Sequence, residues 1–427
     1  MKKTILLILA FVSLLSYVNA QWVQTTTPPG GSVWAMAVIG SKIFAGAGNG
    51  GVYFSNNDGT TWLQRDSASP SMEVQSLLAI GNDLYVGTIG NIYKSSDDGI
   101  TWVNITPTAM IGGPPHSPQI RSLVANSNTI YAGTFGGGGI YMSPISGISS
   151  TSWTSFNTGW TYGNFDTRSL KINGTTIYAG TYGKGVWMSP LDTPNWSQTS
   201  STMISSSQYI EAIDINGSIF LAGDISSSPT LYRSTDGINW TQPNISIFGN
   251  KPIYSIVHKG DNYYVGTEGT GVFLSKDNGV TWNTFNNGFY VSGIDSFGQK
   301  KLACNQINIR SIAFSGTNIY AGTDCGVWKR SLSDTAAGGL ISAGINDLKL
   351  DEQFSFYPNP AKDFVTIKLS SGLIGSTYKI SDQLGRIVMV GKLSSETSTI
   401  NTNDLNTGIY FVSFGKVESH NFKFLKL

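Results

Sequence analysis

The stretch "TIYAG", Thr129 to Gly133, decides the fold, because close variants of it occur seven times along the chain. The copies are "KIFAG" ending at Gly46, "DLYVG" at Gly87, "TIYAG" at Gly133 and again at Gly180, "IFLAG" at Gly223, "YYVG" at Gly266 and "NIYAG" at Gly322. Each alternates branched or aromatic residues with small ones and ends in glycine, which is typical of a strand. A period of about 46 residues predicts a repeat architecture built from strands.

Each copy is the second strand of a four-stranded unit. A short apolar strand such as "SLLAI" (Ser76 to Ile80) precedes it, and a third strand such as "IYMS" (Ile140 to Ser143) follows a glycine-rich link. A fourth strand then opens with tryptophan, as in "WVNI" at Trp102. The seventh unit has no such strand after its third, whereas "QWVQT" (Gln21 to Thr25) matches the missing one.

Seven units, the last of which takes its fourth strand from the opposite end of the chain, indicate a ring. The sequence therefore predicts an all-β fold, with a closed seven-bladed β-propeller over residues 21–332. Closure would hide the strand edges that an open stack of sheets exposes. An open β-solenoid is the alternative, but it gives no reason for the missing strand to reappear near residue 21.

The link between the third and fourth strands of the second unit reads "SSDDGITW", Ser95 to Trp102. An aspartate accepting backbone N–H groups, a left-handed glycine and a buried tryptophan would make it a tight turn. The stretch resembles the Asp-box, or BNR repeat, of sialidase-type propellers, and this resemblance implies a structural role without metal or catalysis. The turn residues are Ser55, Asn57, Gly59, Trp62; Ser95, Asp97, Gly99, Trp102; Ser234, Asp236, Gly237, Trp240; and Ser275, Asp277, Gly279, Trp282.

The first 20 residues, "MKKTILLILAFVSLLSYVNA", have two lysines, an apolar run and small residues near Ala20. This pattern predicts a secretory signal peptide over residues 1–20. No apolar run after Gln21 is long enough for a spanning helix. Residues 333–350 are small, polar and turn-rich, and we interpret them as a linker.

The last segment, residues 351–427, alternates strands with Pro-Asn-Pro, Leu-Gly and Thr-Gly turns and predicts a small β-sandwich. Three motifs follow in order: Tyr357 to Ala361 ("YPNPA"), Asp382 to Arg386 ("DQLGR") and Leu405 to Tyr410 ("LNTGIY"). The segment resembles the type A C-terminal sorting domain of the type IX secretion system of Bacteroidota. The resemblance implies contact with the secretion machinery, export to the cell surface or medium, and removal of the segment. A generic adhesive or carbohydrate-binding sandwich is the alternative.

Charge and cysteine content narrow the possible partners. Without Lys2 and Lys3 the chain has 25 basic and 26 acidic residues and no block of like charge, so we expect no nucleic-acid partner. We predict no metal, because the three histidines are dispersed, and no cofactor; we expect a monomer. Cys304 and Cys325, in a chain bound for an oxidising compartment, predict a disulfide, with two free buried thiols as the alternative.

The start of each first strand supplies one comparable position per unit, and these positions should ring the mouth of the central channel. They are Trp34, Gln75, Arg121, Arg168, Glu211, Tyr254 and Arg310. Loop aromatics on the same face would either contact a ligand or pack the loops onto the blades. They are Trp160, Tyr162, Phe165, Phe289 and Tyr290.

Neutral, amide-rich loops with aromatic residues favour a binding module for a glycan, peptide or protein, without catalytic residues. The alternative is a glycoside hydrolase, sialidase-like or otherwise polysaccharide-degrading, that would use a pair of carboxylates on the loop face. The candidate carboxylates are Asp166, Glu211, Asp224, Glu268 and Asp324.

Overall fold

The computed structural model describes most of the chain after residue 20. The described residues are 21–26, 31–48, 50–65, 73–108, 118–136, 138–160, 166–199, 208–294, 300–302, 307–332, 355–357, 360–368, 374–375, 377–382, 386–414 and 420–427. The proposed signal peptide and linker lie outside this set. The chain divides into two compact units, Met1–Asp334 and Thr335–Leu427. In the described residues, no helix has the length and apolar character of a membrane span.

The first unit is built from short antiparallel strands, with one 3-10 turn at Ser246–Phe248. Its strands are β1 (Val23–Gln24), β2 (Val33–Ile39), β3 (Lys42–Ala47), β4 (Gly51–Ser55), β5 (Leu63–Gln64), β6 (Val74–Ile80), β7 (Asp83–Thr88), β8 (Ile92–Ser95), β9 (Val103–Asn104), β10 (Gln119–Ala125), β11 (Thr129–Phe135), β12 (Ile140–Pro144), β13 (Thr154–Ser155), β14 (Thr167–Asn173), β15 (Thr176–Thr181), β16 (Val186–Pro190), β17 (Ser197–Gln198), β18 (Ile210–Asn216), β19 (Ile219–Asp224), β20 (Leu231–Ser234), β21 (Trp240–Thr241), β22 (Ile253–Lys259), β23 (Asn262–Thr267), β24 (Val272–Ser275), β25 (Asn283–Thr284), β26 (Tyr290–Ile294), β27 (Lys300–Leu302), β28 (Ile309–Ser315), β29 (Asn318–Thr323) and β30 (Gly326–Ser331).

Apart from the hairpin β26-β27, these strands form four-stranded sheets in which consecutive strands pair. The described residues contain seven such sheets in this unit, which we number by chain order: β2–β5, β6–β9, β10–β13, β14–β17, β18–β21, β22–β25, and β28–β30 with β1. The all-β fold with four-stranded blades is therefore confirmed. Each first strand packs against the first strand of the next sheet, and β28 of sheet 7 packs against β2 of sheet 1.

The repeated glycine of the "YAG" stretch lies where each sheet contacts the next. A Cβ atom on Gly133 would lie 2.7 Å from Thr167 Cγ2, at the start of the next sheet. A Cβ on Gly322 of sheet 7 would lie 2.7 Å from Val33 Cγ1 of sheet 1. These distances are too short for a side chain, so glycine is what allows neighbouring sheets to approach. The same relation links Gly46 to Val74, Gly87 to Ile120, Gly180 to Ile210, Gly223 to Ile253 and Gly266 to Ile309.

The N-terminal strand completes sheet 7, as the sequence predicts. Val23 pairs with Lys329 on β30. Trp22 is 1% exposed, stacks on Phe289 with ring centroids 4.7 Å apart, and donates Nε1–H to Phe285 O at 2.6 Å. One tryptophan thus ties the first strand of the chain to both sheet 6 and sheet 7.

The second unit contains two antiparallel sheets that share one hydrophobic core. Its strands are β31 (Ser355–Tyr357), β32 (Phe364–Lys368), β33 (Thr377–Ser381), β34 (Ile387–Lys392), β35 (Thr397–Asn401), β36 (Gly408–Phe414) and β37 (His420–Lys426). The sheet orders are β31-β32-β35 and β34-β33-β36-β37. Val365 and Ile400 of the smaller sheet lie in one buried cluster with Ile380 and Val412 of the larger.

Candidate functional site

The predicted channel-mouth residues share one backbone feature. In every first strand the pairing register shifts at the residue in question, for example between Ile120 and Ser122 around Arg121. A β-bulge of this kind turns a side chain away from the alternation of the strand. The register shifts enclose Trp34, Gln75, Arg121, Arg168, Glu211, Tyr254 and Arg310.

On one side of this ring, two arginines share a glutamate. Arg168 Nη1 donates to Glu211 Oε2 at 2.9 Å, whereas Arg121 Nη1 is 3.9 Å from Glu211 Oε1. The Arg168 guanidinium also lies over two aromatic rings, 4.2 Å from the centroid of Phe135 and 4.8 Å from that of Tyr182. Arg168 is therefore held by a charged hydrogen bond and by cation–π contacts. Arg121 has a weaker hold on the same carboxylate.

On the other side, Tyr254 and Arg310 form a second group. Tyr254 OH donates to Glu268 Oε2 at 2.7 Å, and Arg310 Nε donates to Asp324 Oδ1 at 3.1 Å. The Arg310 guanidinium lies 4.3 Å from the centroid of the Tyr254 ring. Burial, together with the hydrogen bond to Glu268, raises the pKa of Tyr254 to about 12. The phenol is therefore a neutral hydrogen-bond donor at physiological pH.

The two groups act on each other electrostatically. Burial lowers the pKa of Arg121, the negative charge of Glu211 opposes that effect, and the positive charges of Arg168 and Arg310 lower the pKa further. Three guanidinium groups from sheets 3, 4 and 7 thus face a common space. Arg121 is the least compensated of them, because its nearest carboxylate oxygen is beyond hydrogen-bond distance.

Sheets 1 and 2 contribute uncharged side chains to the ring. The indole of Trp34 lies so close to Gly48 that a Cβ there would be 2.9 Å from its Cε2 atom. Gln75 is buried, and its Oε1 has no hydrogen-bond partner in the described residues. The described contacts join neither residue to the charged groups. The ring therefore has charged side chains on sheets 3, 4, 5 and 7 and uncharged side chains on sheets 1, 2 and 6.

The five candidate carboxylates for a hydrolase all have hydrogen-bond donors. Glu211, Glu268 and Asp324 are held by the arginines and the tyrosine of the ring. Asp166 Oδ1 accepts from Gly136 N at 2.7 Å. Asp224 is buried, which raises its pKa, and it accepts the backbone N–H of Ser226 at 2.8 Å in a turn. These carboxylates orient arginines, a phenol and loop backbone.

The Ser-x-Asp turns are internally saturated with hydrogen bonds. Ser95 Oγ donates to Asp97 Oδ1 at 2.8 Å and accepts from Gly99 N at 2.8 Å. Asp97 accepts from both the backbone N–H and the hydroxyl of Thr101, at 2.8 and 2.7 Å, and these bonds lower its pKa to about 2. Asp98 and Gly99 both have left-handed φ angles, 59° and 81°. The same serine–glycine bond occurs at Ser55, Ser234 and Ser275.

Six of the tryptophans near the fourth strands have a role that the sequence did not reveal: their indole N–H groups bridge neighbouring sheets. Trp102 Nε1 donates to Arg65 O, and Trp153 Nε1 donates to Ile105 O at 2.8 Å. In each case the acceptor follows the fourth strand of the preceding sheet. Equivalent bonds run from Trp196 to Phe156 O, from Trp240 to Thr199 Oγ1, from Trp22 to Phe285 O and from Trp62 to Thr25 Oγ1. The described part of the chain contains no group of acidic, histidine or cysteine residues able to hold a metal ion.

The aromatic residues near the mouth differ from those that the loops suggested. Phe289 is buried against Trp22, and Trp160 packs between Trp187 and Trp196. Tyr162, Phe165 and the side chain of Tyr290 lie outside the described residues. Instead, Phe135 and Tyr182 contact the ring residue Arg168; Tyr182 is 42% exposed, and its ring centroid is 4.1 Å from that of Tyr209. Phe135 ends a second strand, Tyr182 follows one and Tyr209 precedes a first strand, positions where the repeats show no shared aromatic.

Cys325 is disulfide-bonded. The other cysteine of the chain, Cys304, lies outside the described residues, so the pairing of the two stays a prediction. Cys325 N donates to Thr323 Oγ1 at 3.0 Å, and Cys325 O accepts from Gln24 Nε2 at 2.8 Å. The cysteine therefore lies where β1 meets the second-to-third-strand link of sheet 7.

Two family descriptions match parts of the chain. Residues 355–425 match a secretion system C-terminal sorting domain, and residues 190–318 match the DUF6242 beta propeller domain. No curated protein matches the chain. The first match confirms the sorting domain and places the protein among those exported to the cell surface or the medium. The second agrees with the propeller blades of the first unit.

Solved structures with similar folds include PorZ, an essential bacterial surface component of the type-IX secretion system of Porphyromonas gingivalis (TM-score 0.54, 17% identity, 94% of this chain). This chain spans 60% of the PorZ chain. YCF48 bound to D1 peptide matches with a TM-score of 0.55 and 17% identity over 75% of this chain and 99% of that one. The extracellular domain of BT4673 from B. thetaiotaomicron matches with a TM-score of 0.55 and 13% identity over 95% of this chain and 59% of that one. At these identities the likeness concerns the fold.

Proposed function

We propose that the protein is an exported, non-catalytic binding module. Its seven four-stranded sheets are the blades of a closed seven-bladed propeller, followed by a sorting domain that is a β-sandwich. The propeller presents the bulge ring to a glycan, peptide or protein, and it acts as a monomer. The packing of β28 against β2 and the strand borrowed from Trp22 to Gln24 support the closed ring.

The observation that carries the binding proposal is the state of Arg121. Its guanidinium is mostly buried, lies within electrostatic range of two other guanidinium groups, donates Nε–H to the neutral amide oxygen of Gln119 at 2.9 Å and has its nearest carboxylate oxygen at 3.9 Å. A partly buried charge with only a distant carboxylate partner is costly, and an anionic group that reached Arg121 would reduce that cost. We therefore propose that the ligand has an anionic group, such as a carboxylate, that binds between Arg121 and Arg310.

The experiment measures how strongly residues 21–427 bind acidic and neutral ligands. The parent, Arg121→Gln and the matched control Arg233→Gln are each applied to arrays of acidic polysaccharides, neutral polysaccharides and acidic peptides. Arg233 is half-buried, and its Nε donates to Asn278 O at 2.8 Å in the Ser-x-Asp turn of sheet 6, so its loss should not alter the bulge ring. We expect acidic ligands to bind the parent, to weaken as salt rises, and to bind R121Q about tenfold or more weakly.

Equal binding to R121Q and the parent would contradict the proposed site. Preferential binding of neutral ligands would contradict the proposed chemistry. The same mixtures are assayed for new reducing ends, because hydrolysis would favour the glycoside hydrolase alternative and would contradict a binding module without catalysis.

A further inference from the structure

The sorting domain has an open apolar edge, formed by strand β34. In the sheet order β34-β33-β36-β37, β34 has a neighbour on one side within the described residues. Ile387, Val388 and Val390 on this strand are 57%, 43% and 56% exposed. A strand with unpaired backbone groups and exposed branched side chains is a template for pairing with another chain.

The opposite edge of the same sheet is covered. Ala361 forms a parallel bridge with Lys426 on β37. Its N–H donates to Leu425 O at 2.7 Å, and its carbonyl accepts from Leu427 N at 2.8 Å. The segment around Ala361 therefore occupies hydrogen-bonding groups at the C-terminal end of β37 that would otherwise be exposed. Within the described residues, one edge of the larger sheet is thus partly covered, and the other has no neighbouring strand.

The smaller sheet protects an edge by different means. Edge strand β35 reads "TSTIN", and its exposed positions are Thr397, Thr399 and Asn401, while Ile400 is buried. Polar side chains on an edge discourage pairing through apolar contacts. The exposed residues of β34 are apolar, in contrast to those of β35. This difference favours a role for the β34 edge in binding a partner strand.

The charges near β34 indicate what a partner strand would contain. Lys379, directly opposite Val390 in the sheet, is exposed, and so are Arg386 and Lys392 at the two ends of β34. Arg386 is paired with Asp382 at 2.7 Å, which leaves the two lysines without a described carboxylate partner. An apolar strip flanked by lysines complements an apolar strand flanked by acidic residues.

We propose that β34 is the docking edge through which the sorting domain binds the type IX secretion machinery. The occupant is an extended segment of a machinery component that has branched apolar residues and acidic flanks and adds a strand beside β34. The partner class follows from the sorting-domain match, which spans residues 355–425 and includes this strand. The proposal concerns the second unit and does not depend on the ligand of the propeller.

The test expresses the full precursor in a bacterium that has a type IX system and measures its amount in the periplasm, on the surface and in the medium. The variant Ile387→Lys/Val390→Lys places charges on the open edge. The control Val103→Lys changes a residue that is 63% exposed in the first unit. We expect the edge variant to accumulate in the periplasm, with an exported amount about tenfold lower, which corresponds to about 1.4 kcal/mol of lost binding. V103K should be exported like the parent.

Thermal melting of the purified full chains separates docking from folding. If the lysine variant melts below the parent, Ile387→Thr/Val390→Thr replaces it, since threonine keeps the branched shape and should also lower export. Export at the parental level of an edge variant that melts like the parent would overturn the proposal. So would light scattering that finds the parent dimeric and the edge variant monomeric with normal export, because the occupant would then be a second copy of this chain.

Discussion

Replacing Trp22 by alanine tests how the propeller is closed. The substitution removes a fully buried indole, its stacking on Phe289 and the shorter of two hydrogen bonds to Phe285 O, which would keep only the bond from Arg330 Nη1 at 3.2 Å. Core tryptophan-to-alanine changes cost about 3–5 kcal/mol. For a unit of roughly 310 residues, at ~2.1 cal/mol/K per residue, about 4 kcal/mol lowers Tm by roughly 6 °C.

Trp62→Ala is the matched comparison, because Trp62 occupies the same place in sheet 1 but is only half-buried. Its Nε1 donates to the side chain of Thr25 at 3.3 Å. We expect a cost of about 1–2 kcal/mol, since less surface is buried and the bond is longer. The comparison separates the loss of the buried tryptophan that precedes β1 from the loss of a half-buried one whose indole N–H donates to Thr25 just after β1.

A glycine pair tests the same closure without changing an aromatic residue. A Cβ on Gly288 would overlap the backbone N and O of Trp22, and Gly288 has φ of +97°. Gly316, in a turn of sheet 7, also has a positive φ but faces open space. Gly316→Ala should therefore cost only about 1–2 kcal/mol of left-handed strain, whereas Gly288→Ala must also displace β1.

The assay is calorimetry or circular dichroism of the mature full chain, with light scattering to detect aggregation through an exposed strand edge. W22A should melt several degrees below W62A, and G288A should melt below G316A. The reasoning is refuted if W22A and W62A have equal Tm values, or if G288A melts like G316A, because β1 would then not be what holds the ring closed.

Three further predictions concern single groups and the sorting domain. The Asp97 carboxyl should titrate near pH 2 by NMR, below the unfolded value of about 3.9. Because its pKa is depressed in the folded state, it stabilises the turn above about pH 4, and this stabilisation is lost as the pH falls toward 2. Asp97→Asn should remove the pH dependence, since Asn57 makes the same backbone bond in sheet 1. Alkylation of the non-reduced secreted protein should leave its mass unchanged if Cys304 pairs with Cys325; two alkyl adducts would show free thiols. Deleting residues 351–427 should retain a propeller of unaltered Tm in the periplasm, and normal export of the truncated chain would contradict a sorting role.

The sequence revealed the features of the fold that repeat. Four-stranded units, the borrowed strand at Trp22 and the Ser-x-Asp turns are visible because each unit can be compared with six others. Contacts between two neighbouring sheets could not be predicted from the sequence. The hydrogen bond from Trp153 to Ile105 O and the close approach of Gly288 to Trp22 depend on how neighbouring sheets pack, and sequence spacing contains no record of that. The mouth aromatics Phe135 and Tyr182 were missed for the same reason.

The bulge positions show why the site can be located while its ligand cannot be named from the sequence. The residue before each bulge is a fully buried branched residue in every sheet, from Val33 to Ile309, and the residue after it is alanine or serine. The backbone is therefore fixed on both sides by packing. Only the residue between them varies, from indole to amide, guanidinium, carboxylate and phenol. The backbone geometry of this position is constant, while its side chain differs from sheet to sheet, so the position is free to serve binding. The seven side chains together, and no single motif, therefore determine which ligand the ring can bind.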